Sequence, residues 1–426
     1  MTAARKEAPS QEPAEERGFR QFRILVLFFS GLFAAILAVA SMLALVACLR
    51  NHASADDILR DGFQASTTLT YYLVWLAVAA VGLILALRKS TTMAAFYVNL
   101  AITAELCAYG YFAATNGHLY RPVPPVLYGR FDPRPFVVAT PHPNLVVYPG
   151  YTHDAEGNRT TINQGKRPDA RTILVFGGST AYDVVNTDAD TWPSQLSALL
   201  GPGFVVKNLG VPGFSSAEAL ARSLFVFRDD PPACAIYYLG VNDLRNSHAD
   251  KLASDYSNFE YPYLYEALHL SRTPGFLERN SLLISYLASL LLPAQPVATG
   301  GTLSGEPDPR VARIFRDNVR LIGIIGHAFG VQVIFVPAVV NDAAIAEKGS
   351  QDKLEPYIRA QSFPRLLGLM NQDLSAAAAE GGASFVDAPL SRSWLPEDFF
   401  GPLHFDRDGA RKFARSIAES VRRICQ

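Results

Sequence analysis

The run Ile173-Leu174-Val175-Phe176 ends in Gly177-Gly178-Ser179-Thr180, so a hydroxyl follows directly on four apolar residues and two glycines. Such a run reads as a buried parallel strand that stops in a tight turn. It leaves Ser179 at the carboxyl end of a sheet, where open α/β folds place their chemistry. A serine there has two uses. It caps the next helix, or it attacks an electrophile once a base within hydrogen-bond reach takes its proton. Three further motifs fall at comparable points: Asn208-Leu209-Gly210-Val211-Pro212-Gly213, Gly240-Val241-Asn242-Asp243 and Pro402-Leu403-His404-Phe405-Asp406. Singly, each has an ordinary explanation: Gly213 as a turn glycine, Gly240–Asp243 as the turn closing a strand, His404 as a residue near a helix start. Together they bring a hydroxyl, an amide and an imidazole to the ends of strands.

These motifs need a sheet to hold them, and from residue 171 onward strand and helix patterns alternate. After the first strand come a helix over Trp192–Leu200 with Pro193 in its first turn, a strand over Phe204–Leu209, a helix over Ser216–Phe227 and a strand over Ala235–Leu239. Residues 244–307 interrupt the alternation as an insertion or lid. They hold an aromatic patch (Tyr256, Phe259, Tyr261, Tyr263, Tyr265), an apolar run Leu282–Leu292 and a Gly/Ser/Thr linker around Thr299–Gly305. The run is too short to cross a bilayer and reads as a core helix or a lid. A helix opened by Asp308-Pro309 then presents Val311, Ile314, Phe315, Val319 and Ile322 on one face. Val331–Val336 is a fourth strand, Pro364–Glu380 a helix and Phe385-Val386 a short fifth strand. Asp406 caps a last amphipathic helix with Ala410, Phe413, Ala414, Ile417 and Val421 inward. Repeated strand–helix units imply a parallel sheet covered on both faces.

The amino-terminal part has a different character. The chain is 49% hydrophobic, and the excess is concentrated in the first 115 residues. Residues 1–21 read as a disordered cytoplasmic tail. Over 22–115 three apolar runs follow, Ile24–Leu49, Leu69–Leu87 and about Met93–Ala114, each long enough to cross a hydrocarbon core. The first is too long for the core of a signal peptide. Seven basic residues in the tail and second loop (Arg5, Lys6, Arg17, Arg20, Arg23, Arg88, Lys89) stand against Arg50 and Arg60 in the first loop. That bias places the amino terminus inside and, after three spans, the rest of the chain outside the plasma (inner) membrane. Glu105 falls in the middle of the third span, as a functional carboxylate or as a packed, hydrogen-bonded one. Residues 116–170, rich in proline and glycine, read as a wrapping linker before a domain over 171–426. A net charge of −1 and the lack of a basic block beyond the tail argue against nucleic acid. Cys48, Cys107, Cys234 and Cys425 are widely scattered, two of them in apolar spans, and suggest neither a zinc site nor a disulfide framework.

In order and spacing, the four motifs resemble the four blocks of the SGNH (GDSL-like) hydrolase superfamily. The resemblance covers about residues 171–424 and is strongest in the first three blocks. The lead-in, with Tyr148-Pro149-Gly150 and Ile162-Asn163-Gln164-Gly165, looks like that of membrane-anchored bacterial members. The resemblance implies a three-layer α/β/α sandwich with a parallel sheet, here preceded by three transmembrane helices. It assigns Ser179 as nucleophile and His404 as its base. The oxyanion of acyl transfer would be met by the N–H of Ser179, the N–H of Gly213 and the side-chain amide of Asn242. Glycine suits position 213 because it lets backbone approach a ligand, and asparagine suits 242 because its amide donates without a charge.

Two positions depart from the family pattern. Gly178 stands where many members have Asp, although Gly-Gly-Ser is a familiar variant. Gly401 stands where the third triad member, an Asp three residues before the histidine, is usual. Asp398, Glu397 beside it, or a backbone carbonyl could take the Nδ1 proton of His404 instead; otherwise the site has decayed. The implied activity is that of a serine-dependent carboxylic-ester hydrolase or O-acyltransferase acting on an exported substrate. O-acylated cell-envelope glycan is the first substrate class and lipid esters the second, the latter favoured by the anchor and the aromatic patch. The rival expectation is a catalytically silent SGNH-fold subunit that binds glycan or a membrane partner, motivated by Gly401 and by three spans where one would tether. Neither expectation calls for a cofactor or a metal.

Overall fold

A computed structural model describes residues 13–51, 63–116, 131–134, 137, 139–148, 150–163, 167–257, 275–290, 300–348 and 355–426. Phe259, Tyr261, Tyr263 and Tyr265 of the aromatic patch lie outside these residues. In chain order the elements begin with three long helices, α1 (Ala14–Asn51), α2 (Phe63–Leu87) and α3 (Thr92–Asn116). Four short strands follow: β1 (Phe131–Pro133), β2 (Ala139–Pro141), β3 (Val146–Tyr148) and β4 (Tyr151–Thr152). Then come β5 (Arg171–Gly177), α4 (Ser179–Tyr182), α5 (Trp192–Leu200), β6 (Phe204–Asn208), α6 (Ser216–Asp229), β7 (Cys234–Tyr238) and α7 (Val241–Leu244). Among the described residues of the interruption lie α8 (Phe276–Asn280) and α9 (Leu282–Leu290). The chain closes with α10 (Pro309–Ala328), β8 (Gln332–Val336), α11 (Asp342–Lys348), α12 (Phe363–Glu380), β9 (Ser384–Phe385), β10 (Phe399–Phe400), β11 (His404–Phe405) and α13 (Arg407–Ile424).

The chain divides into two compact units, one of residues 1–125 with 274–293, the other of residues 126–273 with 294–426. In the first unit, three helices are long and apolar enough to cross a membrane. Helix α1 begins at Ala14, inside the stretch expected to be disordered. Glu15 and Glu16 sit in its first turn, where carboxylates favour a helix start. Polar contacts tie the bundle together: Ser30 Oγ and the Val26 carbonyl meet the amide of Asn99 at 3.0–3.1 Å, and Tyr72 and Tyr109 hydroxyls lie 3.1 Å apart. Helices α8 and α9 belong to this unit, so Leu282–Leu290 is not a core helix of the α/β unit.

The second unit is built on a five-stranded sheet in the order β6-β5-β7-β8-β9, with every pairing parallel. Strand β7 is buried along its whole length, as a strand covered on both faces must be. One face carries Phe176, Tyr237 and Phe335, with Phe176 and Tyr237 stacked at 4.9 Å and Phe227 of α6 against Phe176. The other carries Tyr238 under Trp192 of α5 and Phe413 of α13, the last two 5.1 Å apart. This is the expected three-layer α/β/α sandwich.

Two expectations are corrected here. The proline-rich stretch is not merely a linker: it folds onto the second unit as the ribbons β1/β2 and β3/β4. Its Arg159 is fully buried, paired with Asp188 and bonded to the carbonyls of Thr152 and Asn186. Strands of two or three residues leave no period to detect. The second correction concerns cysteine. Cys234, at the start of β7, forms a disulfide with Cys425 beyond the end of α13, with Cα atoms 5.7 Å apart and 191 residues between them in sequence.

Candidate active site

Strand β5 delivers the chain to Gly178, and Ser179 opens the one-turn helix α4. The sharpness of this turn depends on Gly178, because a Cβ there would overlap the Asn242 amide nitrogen and lie 3.0 Å from the Phe214 carbonyl oxygen. The Asn242 amide is thus wedged beside the residue preceding Ser179 and donates to the Phe214 carbonyl at 2.8 Å. Phe214 adjoins Gly213, whose φ of +89° is one that glycine adopts readily. Ser179, Gly213 and Asn242 are therefore gathered at one place. Neither the Ser179 N–H nor the Gly213 N–H has a hydrogen-bond partner among the described residues, and the Asn242 amide keeps a second hydrogen.

Buried carboxylates and amides brace this side of the site. Asn208 donates to the carbonyls of Ala181 and Tyr182 at 2.9 and 3.4 Å, holding the end of α4. Asp243, next to Asn242, accepts from the backbone N–H and hydroxyl of Ser216, fixing α7 to the start of α6. Burial pushes the Asp243 carboxyl up to about 6, against the lowering effect of those hydrogen bonds.

His404 reaches the serine from a hairpin. Its Nε2 lies 2.9 Å from Ser179 Oγ. It sits in β11, opposite Phe400 of β10, and Phe405 beside it packs on Phe413 and Trp394. The half-buried ring is held below the ordinary histidine pKa by desolvation, so it is neutral, and able to accept a proton, at neutral pH.

No described residue hydrogen-bonds to His404 Nδ1. Gly401, in the position of the usual Asp, is part of the β10–β11 turn with a φ of +68°, a conformation that disfavours a side chain. Asp398 does not come to the histidine either: its Oδ2 accepts from the Leu395 N–H at 2.8 Å and from Lys412 Nζ at 2.5 Å. Glu397, in the same short turn, makes no described bond to His404, and no backbone carbonyl takes the Nδ1 proton among the described residues. Among the described residues, the Ser179–His404 contact has no third group behind it.

Two asparagines that the motifs did not mark hold the histidine hairpin. Asn341 donates its backbone N–H to the Pro402 carbonyl at 2.9 Å and its side-chain amide to those of Gly401 and Pro396 at 3.3 Å. Asn186 donates to the Phe405 carbonyl at 3.3 Å and to Asp183 at 2.8 Å. Asp183 also caps α5 by accepting from the Trp192 N–H, and burial pushes its carboxyl up to about 7. Nothing local in Asn186 or Asn341 signals their partners in the hairpin, which lie more than 50 residues away in sequence.

No protein-family model matches this sequence, and no curated protein does. Among solved structures, the chain is similar to TesA at 14% identity over 60% of this chain and 99% of TesA, with a TM-score of 0.36. It is similar to a GDSL-like lipase from Bacteroides thetaiotaomicron at 13% identity, over 59% and 86%, with a TM-score of 0.32. A catalytic mutant of Axe2, an acetylxylan esterase from Geobacillus stearothermophilus, matches at 12% identity over 61% and 96%, with a TM-score of 0.34. At these scores the comparisons carry no inference about the site, which rests on its own geometry. Among the described residues no cluster of His, Cys, Asp and Glu could hold a metal ion.

Proposed function

We propose that this protein is a membrane-anchored serine hydrolase that cleaves carboxylic esters with a Ser179–His404 dyad. The observation that carries the reading is the 2.9 Å contact from His404 Nε2 to Ser179 Oγ. Ser179 Oγ attacks the ester carbonyl as its proton passes to Nε2. The Ser179 and Gly213 N–H groups, with the free hydrogen of the Asn242 amide, meet the oxyanion. Collapse expels the alcohol with the proton from His404 and leaves an acyl-serine. A water, or a sugar hydroxyl in the transferase variant, attacks that ester as its proton passes to Nε2, and collapse breaks the bond to Ser179 Oγ, which takes the proton back from Nε2 as the acid or the new ester leaves. The substrate we favour is an O-acylated glycan of the cell envelope, with lipid esters second.

The basic residues flanking the spans support an outer placement of the α/β unit. The Cys234–Cys425 disulfide supports the same side, because such bonds persist in oxidising compartments. The second reading, a silent binding subunit, is favoured by the lack of a described partner for His404 Nδ1. A fluorophosphonate probe separates the two, since it reacts with an activated serine whatever the substrate. In membranes holding the full chain, labelling of wild type that vanishes in Ser179→Ala and His404→Ala supports the hydrolase. Wild type that is folded and yet unlabelled leaves the binding subunit.

A further inference from the structure

We propose that α9, entered through the short charged helix α8, forms a fourth membrane element seated in the apolar part of the bilayer without crossing it and latched there by Glu105. The apolar run Leu282–Leu292 is closed by Pro293, and as a helix it would span about 17 Å at 1.5 Å per residue, little more than half of a hydrocarbon core of about 30 Å. From Ser281 to Pro293 the sequence carries no charge. A helix that ends inside lipid must close its own free N–H groups, since no water is there to do so.

The start of α9 is closed in this way. Glu105 of α3 accepts from the Leu282 N–H at 2.6 Å, the Leu283 N–H at 3.2 Å and the Ser281 hydroxyl at 2.7 Å. Ser281 Oγ in turn accepts from the Ile284 N–H at 3.1 Å. Tyr71 of α2 donates to the same carboxylate at 2.6 Å, and the Trp75 indole of α2 donates to the Asn280 carbonyl at 2.8 Å. Glu105 is itself buried. The intramembrane carboxylate therefore accepts from Tyr71 of α2 and, through its other three bonds, from the N-terminus of a second segment of chain.

Much of α8 and α9 that is not turned to Glu105 is apolar and exposed. Phe276, Leu277, Ile284 and Leu287 are exposed, as are Leu73 and Val81 of α2 and Leu100 of α3 within the same unit. The surface they extend is that of helices long and apolar enough to cross a membrane, so the occupant that fits is the acyl region of the bilayer.

The test uses the full chain in lipid nanodiscs, with Cys48 and Cys107 replaced by alanine and single nitroxide labels at Leu277, Leu287, Leu100 and Leu224. Leu100 reports a spanning helix, and Leu224 an exposed position on α6 of the α/β unit. Oxygen concentrates in lipid and a nickel chelate in water. The expected result is an oxygen-to-nickel accessibility ratio at Leu287 that exceeds the Leu224 value several-fold and approaches that at Leu100, with Leu277 between the two. A ratio at Leu287 equal to that at Leu224, or a label shielded from both reagents, overturns the proposal. Glu105→Ala is expected to lower the ratio at Leu287 toward the Leu224 value while leaving Leu100 unchanged, and an unchanged Leu287 removes the latch. If that variant does not fold, the labels in the Glu105 background decide alone.

Discussion

The serine side and the histidine side of the site are held by different means. Ser179 is fixed by residues inside the motifs themselves: Gly178 admits the Asn242 amide, Asn208 holds the end of α4, and Asp243 pins the turn that carries Asn242. His404 has no carboxylate behind it among the described residues and depends on a hairpin whose turn is tied by Asn341 and whose second strand is tied by Asn186. The serine turn is thus specified by close packing of small residues, whereas the base is specified by backbone hydrogen bonds made at a distance from the ring. A site of this kind tolerates little change at the first and yields by degrees at the second.

The sharpest way to break this contrast is Gly178→Ala. Its Cβ would displace the Asn242 amide, and loss of one oxyanion donor lowers kcat by about 10² to 10³; turnover of an activated ester measures it, and a kcat near wild type would remove Asn242 from the site. Asn341→Ala is expected to act less severely, lowering kcat by about tenfold to a hundredfold through misplacement of His404, with KM little altered. Stopped-flow acylation kinetics distinguish this from a binding defect. Asp398→Asn should leave acylation intact and lower thermal stability by about 1 kcal/mol, as expected for a lost cap and a partly exposed ion pair. An equal loss of activity would return Asp398 to the catalytic machinery.

The smallest effect is one of position on the pH axis. The neutral imidazole is the base, and burial favours the neutral form. The acid limb of kcat/KM is therefore expected to have its midpoint below about 6.5, the ordinary histidine value. The same shift costs stability in acid, because as pH falls through about 6.5 the unfolded chain takes up its proton before the folded one does. A limb centred above that value would mean that a carboxylate supports the ring.

Much of the scaffold was legible because its signals are local. Four apolar residues before Gly177-Gly178, the Pro193 turn and the inward face of α13 each carry their period within a dozen residues, and the strands and helices expected from residue 171 onward fall within about two residues of their expected bounds, whereas α1 and α2 start about ten and six residues early. What escaped are pairings across long separations. The reach of Asp398 toward Lys412 instead of His404 follows from a turn of backbone at 396–398 that has no sequence period. Glu105 was visible as an anomaly in an apolar run, yet its partners, 176 to 178 residues downstream, were not. The disulfide left a fainter trace: with Cys48 and Cys107 in the apolar spans, two cysteines remained for the α/β unit.

That disulfide also sets an order of events during synthesis. Cys425 is made 191 residues after Cys234, roughly 10 to 40 s later at about 5–20 residues per second. Over that interval β7, the middle strand of the sheet, lacks its covalent partner, and for about the first half of it β7 also lacks β8. The cross-link therefore marks a chain whose last helix has been delivered, and a population arrested before that point would carry Cys234 as a thiol open to alkylation.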